Sequence, residues 1–230
     1  VQALNDDACV YLDKNTNTNA AVFGTDVTAQ AYGQIRVGTY TVNTVALAYE
    51  DVAYVLSGSA LKLGEGKYHC LCGQETHIGD CDGKVLVWTP WKNETITPYG
   101  SGNYYLAGNV TATAAQSVAA NGVMNLDLNG HSITNATTNV YNLDNADALN
   151  ITDTAGGGSI TATGKHVVNV TGVNSAFSLY GGTLQSTVTT VNANGGSAKN
   201  VCSVSIYGGT IIGGSATWGG AVYINNGASL

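Results

Sequence analysis

The sequence predicts an all-β protein whose C-terminal part is a right-handed parallel β-helix. Two observations support this fold class. Residues that favour strands and turns dominate a chain of 230 residues with 30 glycines. A set of short strand patterns also recurs along residues 93–230 at a spacing of roughly 23 to 28 residues, which is typical of a repeat architecture.

The composition favours β-structure over helix. Charged residues make up 10% of the chain, against about 25% in an average soluble domain. Surface helices carry Glu, Lys and Arg on their solvated faces, so hydroxyl and amide groups must solvate this protein instead. Val, Thr and Tyr favour strands, and Asn and Gly favour turns.

Each repeat begins with a strand of alternating apolar residues that ends near a turn. These first strands start at Leu126, Leu149, Phe177 and Val204. A second strand follows each of them, centred on Ile133, Ile160, Leu184 and Ile211. A third strand ends at Asn142, Asn169, Asn192 and Asn225. The pattern therefore predicts three strands per coil.

Stacking of the coils would bury the apolar side chains that a single coil cannot bury alone. Each strand would pair in parallel with its equivalent about 4.8 Å away. We expect the first-strand residues to form one inward file, the second-strand residues another, and the four asparagines a hydrogen-bonded column. A sandwich of antiparallel hairpins is the competing architecture, but it does not require a recurring register of three strands.

We divide the chain into three parts. Residues 1–66 are a β-rich region with alternating stretches such as 34–42. Residues 67–92 are a Cys/His module that closes with two tryptophans, Trp88 and Trp91. Residues 93–230 are the β-helix, which we expect to continue beyond residue 230.

The Cys/His module contains the best candidate for a metal site. Cys70, Cys72, His77 and Cys81 offer three thiolates and an imidazole, which suit tetrahedral zinc. His69 is an alternative ligand. Three glycines nearby would let a short loop wrap around the ion, and a closed four-ligand site predicts a structural role.

A disulfide is the alternative for these cysteines. Cys81 could pair with Cys70 or with Cys72 in an oxidising compartment. The two remaining cysteines, Cys9 and Cys202, are interpreted as buried thiols.

Residues 67–230 resemble a known kind of surface protein. The runs 102–106, 125–133, 207–214 and 219–224, and the Cys/His segment before them, are similar to pectate-lyase-like right-handed β-helix segments of large surface proteins from gut-type anaerobic bacteria. The resemblance implies an extracellular, wall-associated or appendage role.

Several aromatic residues are candidates for contact with glycans. Trp218 lies in a glycine-rich segment, and Tyr180 and Tyr207 occupy equivalent positions in successive repeats. The tyrosines also fit a structural reading as a stacked pair on one face of the coil. Trp88 and Trp91 could also bind a sugar, but we expect them to cover the Cys/His module or to seal the end of the β-helix.

The charge pattern argues against several functions. The net charge is −7 and Arg36 is the single arginine, so the chain lacks the clustered cations that bind nucleic acid or anionic membranes. No apolar run is long enough to span a bilayer. Hydrolysis of glycans needs two carboxylates facing one groove, and Asp127, the one acidic residue expected to point outward from a strand, has no evident partner.

These observations predict a non-catalytic structural or adhesive module of an extracellular bacterial surface protein, with zinc as a structural cofactor. Unpaired strand edges at the last coil predict self-association into a filament, or contact with the cell wall and its glycans. The alternatives are a β-helix that binds or degrades polysaccharides and a component of a phage tail spike.

Overall fold

The computed structural model describes residues 67–230 except 75, 85, 119, 145 and 196–200, and five strands that precede residue 67. The chain divides into two compact units, Val1–His69 and Cys70–Leu230. The Cys/His loop therefore belongs to the same unit as the repeats. Within the described residues, all regular secondary structure is strand, and no helix is long and apolar enough to cross a membrane.

The first unit contains a five-stranded sheet in the order β1-β2-β5-β4-β3. Strands β1 and β2 pair in parallel, and the other neighbours pair antiparallel. The expected strand within 34–42 is present as β2, while residues 34 and 38–42 and Cys9 lie outside the described residues. The strands of this unit are β1 (Val10–Leu12), β2 (Ile35–Val37), β3 (Leu47–Tyr49), β4 (Val52–Ser57), β5 (Ala60–Leu63) and β6 (Lys67–His69).

The second unit is a parallel β-solenoid with three strands per coil, as predicted. The right-handed sense of the coil stays a prediction. Sheet I runs in the order β7-β8-β11-β14-β17-β20-β23, sheet II in the order β9-β12-β15-β18-β21 and sheet III in the order β10-β13-β16-β19-β22, with every pair parallel.

The strands of each sheet have the following bounds. Sheet I contains β7 (Leu86–Trp91), β8 (Gly102–Leu106), β11 (Val123–Asp127), β14 (Ala148–Thr152), β17 (Ala176–Leu179), β20 (Cys202–Ile206) and β23 (Ala228–Ser229). Sheet II contains β9 (Val110–Ala112), β12 (Ser132–Asn135), β15 (Ser159–Ala162), β18 (Thr183–Ser186) and β21 (Thr210–Ile212). Sheet III contains β10 (Gln116–Ser117), β13 (Tyr141–Leu143), β16 (Val168–Val170), β19 (Val191–Asn194) and β22 (Val222–Asn225).

The core is built from files of apolar side chains that stack from coil to coil. The file predicted for the second strands is confirmed: Ile133, Ile160, Leu184 and Ile211 lie opposite one another in register. The first three are fully buried. This stacking removes apolar surface from water at every coil, which is the main stabilisation of the fold.

The file predicted for the first strands is wrong at one position. Met124, not Leu126, lies opposite Leu149, and Leu126 pairs with Ile151. Both arrangements place Leu126 inside, because side chains two residues apart point to the same face of a strand. The alternation alone therefore does not distinguish registers that differ by two residues.

The predicted asparagine column forms in sheet III over three coils. Asn169 donates to Asn142 at 3.4 Å, and Asn192 donates to Asn169 at 2.7 Å. The fourth position was predicted wrongly, because Tyr223 lies opposite Asn192 and Asn225 pairs with Asn194. The last strand is again shifted by two residues from the position that its local motif indicates.

A second asparagine ladder in sheet I was not predicted. Asn150 donates to Asn125 at 2.8 Å, and Asn125 donates to Asn103 at 2.7 Å. Asn103 in turn donates to the main-chain oxygen of Val87 at 3.1 Å. The ladder thus joins four consecutive strands, β7, β8, β11 and β14, through polar side chains.

Two aspartates hold the turns between sheets I and II. The carboxylate of Asp127 accepts hydrogen bonds from the main chain of Asn129 and from the main chain and hydroxyl of Thr154. Asp153 accepts from Gly130 and Gly158. Asp127 is fully buried, so its carboxylate is not open to a glycan. The carboxylate fixes the turn instead.

Candidate metal centre

The residues from Cys70 to Gly83 form a short loop, here called the Cys/His loop, between β6 and β7. Gly73, Gly79 and Gly83 have φ values of 66°, 60° and 76°, a region that L side chains rarely adopt. Main-chain hydrogen bonds from Gly73 to Cys70 and from Cys81 to Ile78 close two tight turns. The glycines therefore allow the loop to fold back on itself, as the sequence predicts.

The loop brings four potential ligands together. The Sγ atoms of Cys70 and Cys72 are 3.6 Å apart. The Nδ1 atom of His77 lies 3.5 Å from Cys70 Sγ, 3.8 Å from Cys72 Sγ and 4.0 Å from Cys81 Sγ. All four ligand atoms lie within 4.8 Å of one another. The three cysteines are buried and His77 is exposed.

These separations fit a tetrahedral metal ion. Zinc–sulfur bonds of about 2.3 Å and zinc–nitrogen bonds of about 2.0 Å place ligand atoms about 3.5 to 3.8 Å apart in a tetrahedron. No disulfide joins Cys70, Cys72 and Cys81 in the structure, so the alternative disulfide from Cys81 is not formed. A main-chain N–H of Cys72 also donates to Cys81 Sγ at 3.4 Å, a contact that stabilises a thiolate.

The absence of a side chain at Gly83 leaves room for the His77 imidazole. A side chain at Gly83 would collide with the Nε2 side of the His77 imidazole. Gly83 thus gives the ring the space in which Nδ1 faces the three sulfurs. The alternative ligand, His69, is not a member of the four-residue cluster, and Cys202 is a separate thiol buried in the solenoid core.

The thiols differ in acidity. Burial raises the pKa of Cys70 to about 11, helped by hydrogen bonds with Cys72 and Cys81. Burial acts in the same direction at Cys72, but hydrogen bonds from the main chain of Ile78 and from His77 and Cys81 outweigh it and lower the pKa to about 6. The cluster therefore already stabilises one thiolate, the form that binds metals.

The loop packs on the outer face of the solenoid and contacts three consecutive coils. Thr152, at the end of β14, donates to the main-chain oxygen of Cys72 at 3.2 Å. Tyr180, after β17, is buried in a cluster with the three cysteines. Tyr207, after β20, donates to Asp80 at 2.7 Å, and a side chain at Gly79 would collide with its ring.

The predicted tyrosine stack is confirmed, and its position limits what it can bind. The rings of Tyr180 and Tyr207 are 5.0 Å apart at an angle of 35°. Tyr180 is 2% exposed because the Cys/His loop covers it, so its ring offers no surface to a glycan. Burial, with the charges of Tyr207, Asp80 and Cys81, raises the pKa of Tyr180 to about 12. Tyr207 is half-buried beneath Gly79.

The tryptophans occupy three different environments. Trp88 is fully buried in β7. Trp91 is half-buried and packs against the solenoid core, which agrees with a role in sealing the first coil. Trp218 is 69% exposed, and its role as a glycan contact stays a prediction.

Sequence reasoning found the four ligands because all of them lie within twelve residues of chain. It missed the surface on which the loop rests, since Asp80 and Tyr207 are 127 residues apart. The one usable signal was the equivalent placement of Tyr180 and Tyr207 in successive repeats.

Compared with family models, curated proteins and solved structures, the chain matches none.

Proposed function

We propose that this chain is a non-catalytic structural module in which bound zinc fastens the Cys/His loop to the side of a β-solenoid. Cys70, Cys72, Cys81 and His77 are the ligands. The observation that carries the proposal is the set of sulfur–nitrogen distances of 3.5 to 4.0 Å, which are close to those of a tetrahedral zinc site. A site with four protein ligands leaves no position for a substrate.

The role of zinc in this proposal is to stabilise a segment that has little core of its own. The loop contributes a few partly buried apolar residues to its packing, such as Leu71 and Ile78. Zinc binding supplies folding free energy of about 10 kcal/mol or more in small metal modules. Because the loop contacts Thr152, Tyr180 and Tyr207, that free energy also favours the native stacking of three coils.

The acidic residues support a structural reading rather than a hydrolase. A glycosidase needs two carboxylates directed at one groove. The carboxylates of Asp127 and Asp153 accept hydrogen bonds from turn residues instead.

We place the module in an extracellular bacterial surface protein, on the resemblance to surface proteins of gut-type anaerobes and on a charged fraction of 10%. Self-association is part of the same proposal. Sedimentation velocity over a range of concentrations tests it, and a strictly monomeric protein would remove this part.

Metal analysis of the purified chain tests the zinc site. We expect one zinc per chain, retained by Cys202→Ala and lost by Cys81→Ser. Cys202 is the matched control because it is also a buried free thiol but lies in the solenoid core. A metal-free protein with a disulfide from Cys81, or equal zinc contents in the two variants, would contradict the proposal.

Amide hydrogen exchange tests the fastening of the loop. Removal of zinc with a chelator should accelerate exchange in β17 and β20, which end at the tyrosines beneath the loop, more than in β12 and β15 of sheet II. Uniform exchange rates before and after chelation would show that the metal does not stabilise the coils.

A further inference from the structure

A small cavity lies at the start of the solenoid, in a part of the chain that shares no residue with the Cys/His loop. It has a volume of about 300 Å³, at the lower end of the range for ligand pockets. The residues that line it are Trp91, Lys92, Asn93, Glu94, Ala107 and Gly108.

The aromatic wall of the cavity is fixed in position. The indole N–H of Trp91 donates to the main-chain oxygen of Ile96 at 2.7 Å. The Trp91 ring meets the rings of Tyr99 and Tyr104 edge to face, each with centroids 5.5 Å apart. Tyr99 is 52% exposed. An aromatic cluster that is ordered before a ligand arrives loses little conformational entropy on binding.

The polar rim is also ordered by local hydrogen bonds. The side-chain oxygen of Asn93 accepts from the main chain and hydroxyl of Thr95 and from the main chain of Ile96, at 2.9 to 3.1 Å. The turn thus uses the amide oxygen, and the NH₂ group is the part that a ligand can use. The main-chain oxygen of Glu94 accepts a hydrogen bond from the main chain of Thr111 at 2.7 Å, which fixes the backbone that bears the exposed Glu94 side chain.

The combination of these groups indicates the chemistry of the ligand. An aromatic wall suits an apolar C–H face, while the Asn93 amide donates and the Glu94 carboxylate accepts hydrogen bonds. Lys92 and Glu94 carry opposite charges on adjacent parts of the rim, so the pocket does not favour an anion or a cation. A molecule with an apolar ring face and neutral hydroxyl groups around its edge fits this arrangement.

We propose that this cavity binds one sugar residue of a neutral glycan, with the ring beside Trp91 and its hydroxyls against Asn93 and Glu94. The proposal adds a ligand to the structural module and does not depend on zinc. It also differs from the glycan contact predicted at Trp218, which lies in a segment after β21. The two sites can therefore be separated by mutation.

Gly108 provides a way to block the cavity without straining the backbone. A side chain at this position would meet no atom within 4 Å, and its φ lies outside the left-handed region. Gly108→Leu should therefore fold normally and fill the space that the sugar would occupy. Glu94→Gln keeps the shape of the rim and removes the charge on its hydrogen-bond acceptor.

In the test, the whole chain is titrated with cello-, xylo-, manno- and galacto-oligosaccharides. Calorimetry and tryptophan fluorescence measure the binding. Oligogalacturonates serve as acidic probes. We expect saturable binding of at least one neutral oligosaccharide, weakened about tenfold or more by Gly108→Leu and also weakened by Glu94→Gln. Trp218→Phe is the matched control for an exposed aromatic and should bind as the parent chain does.

Three results would overturn the proposal. The first is the absence of binding to every neutral oligosaccharide. The second is binding that Gly108→Leu leaves unchanged or that Trp218→Phe abolishes. The third is binding of the acidic probes alone. None of these outcomes bears on the zinc content, so the failure of this site and of the proposed zinc site are distinguishable.

Discussion

The hydroxyl of Tyr207 donates a 2.7 Å hydrogen bond to Oδ2 of Asp80 across 127 residues of chain. Asp80 lies in the Cys/His loop and Tyr207 directly follows β20, so the bond joins the loop to the solenoid. It also raises the pKa of Tyr207 above its ordinary value. The contact links the loop that carries the candidate metal site to a remote coil.

The coupling between these two side chains should depend on the metal. A double-mutant cycle of Tyr207→Phe and Asp80→Asn, measured by urea unfolding of the zinc-loaded protein, should give a coupling free energy of about 1 kcal/mol. After chelation the loop is no longer held on the tyrosine, and the coupling should vanish. An equal coupling in both forms would mean that the loop docks without metal.

Substitution of Gly83 should weaken zinc binding. Gly83→Ala places a Cβ against the His77 imidazole at a φ of 76°, and we expect a loss in zinc affinity of about tenfold. Gly164→Ala is the matched control, since its φ is 66° and the added Cβ meets no atom within 4 Å. Competition with a chromophoric chelator measures both zinc affinities. Similar losses of affinity in the two variants would show that the loss does not come from the contact with His77.

Removal of hydrogen bonds from the asparagine ladder of sheet I should destabilise the solenoid in proportion to the number of bonds removed. Asn125→Ala breaks the bonds to both Asn103 and Asn150, and should lower the free energy of unfolding by about 2 kcal/mol. Asn150→Ala breaks one of them and should lower it by about 1 kcal/mol. Urea unfolding of the two variants compares these values. Equal losses would show that the ladder bonds do not contribute separately.

Tyr141 should make the protein sensitive to alkali. Its hydroxyl is fully buried beside the Thr97 hydroxyl and makes no hydrogen bond of good geometry among the described residues. Burial outweighs the contact with Thr97 and raises the pKa of Tyr141 above the ordinary value of about 10. The folded state therefore holds this proton where the unfolded chain releases it. The resulting stabilisation is complete below pH of about 10 and is lost as the pH rises toward the folded-state pKa.

Replacement of Tyr141 separates the effect of its hydroxyl on stability at alkaline pH from its effect on stability at neutral pH. Tyr141→Phe should reduce the loss of stability above pH of about 10 and should leave stability at neutral pH unchanged or higher by about 1 kcal/mol. Thermal unfolding from pH 7 upward measures both quantities, with absorbance at 295 nm to follow ionisation. A marked destabilisation at neutral pH would instead indicate that the hydroxyl is satisfied in the native protein.

The repeat made the architecture predictable, but it did not predict the pairing register of every strand. The second-strand file of Ile133, Ile160 and Leu184 was found because each strand carries an isoleucine or a leucine after a similar turn. The first-strand file failed at Leu126 and the asparagine column at Asn225, each by two residues. A shift of two leaves the same face buried, and the lengths of the turns decide between the alternatives.

The candidate metal site was predictable because its ligands are local. Cys70, Cys72, His77 and Cys81 are close in sequence, and the nearby glycines permit the chain to turn between them. The sugar pocket at Trp91 was not predictable. It depends on the edge-to-face contacts with Tyr99 and Tyr104 and on the open space beside Gly108, neither of which has a signature in the sequence.

The sequence by itself therefore determined the β-solenoid and the four residues that could hold a metal ion, since alternation, repeat spacing and the short spacing of these residues are local properties of a chain. Only the tertiary structure decided that the Cys/His loop rests on three coils, that Tyr180 is buried beneath it and that Asp127 holds a turn. These contacts join residues far apart in sequence, and their positions follow from the winding of the coils, which no local pattern encodes.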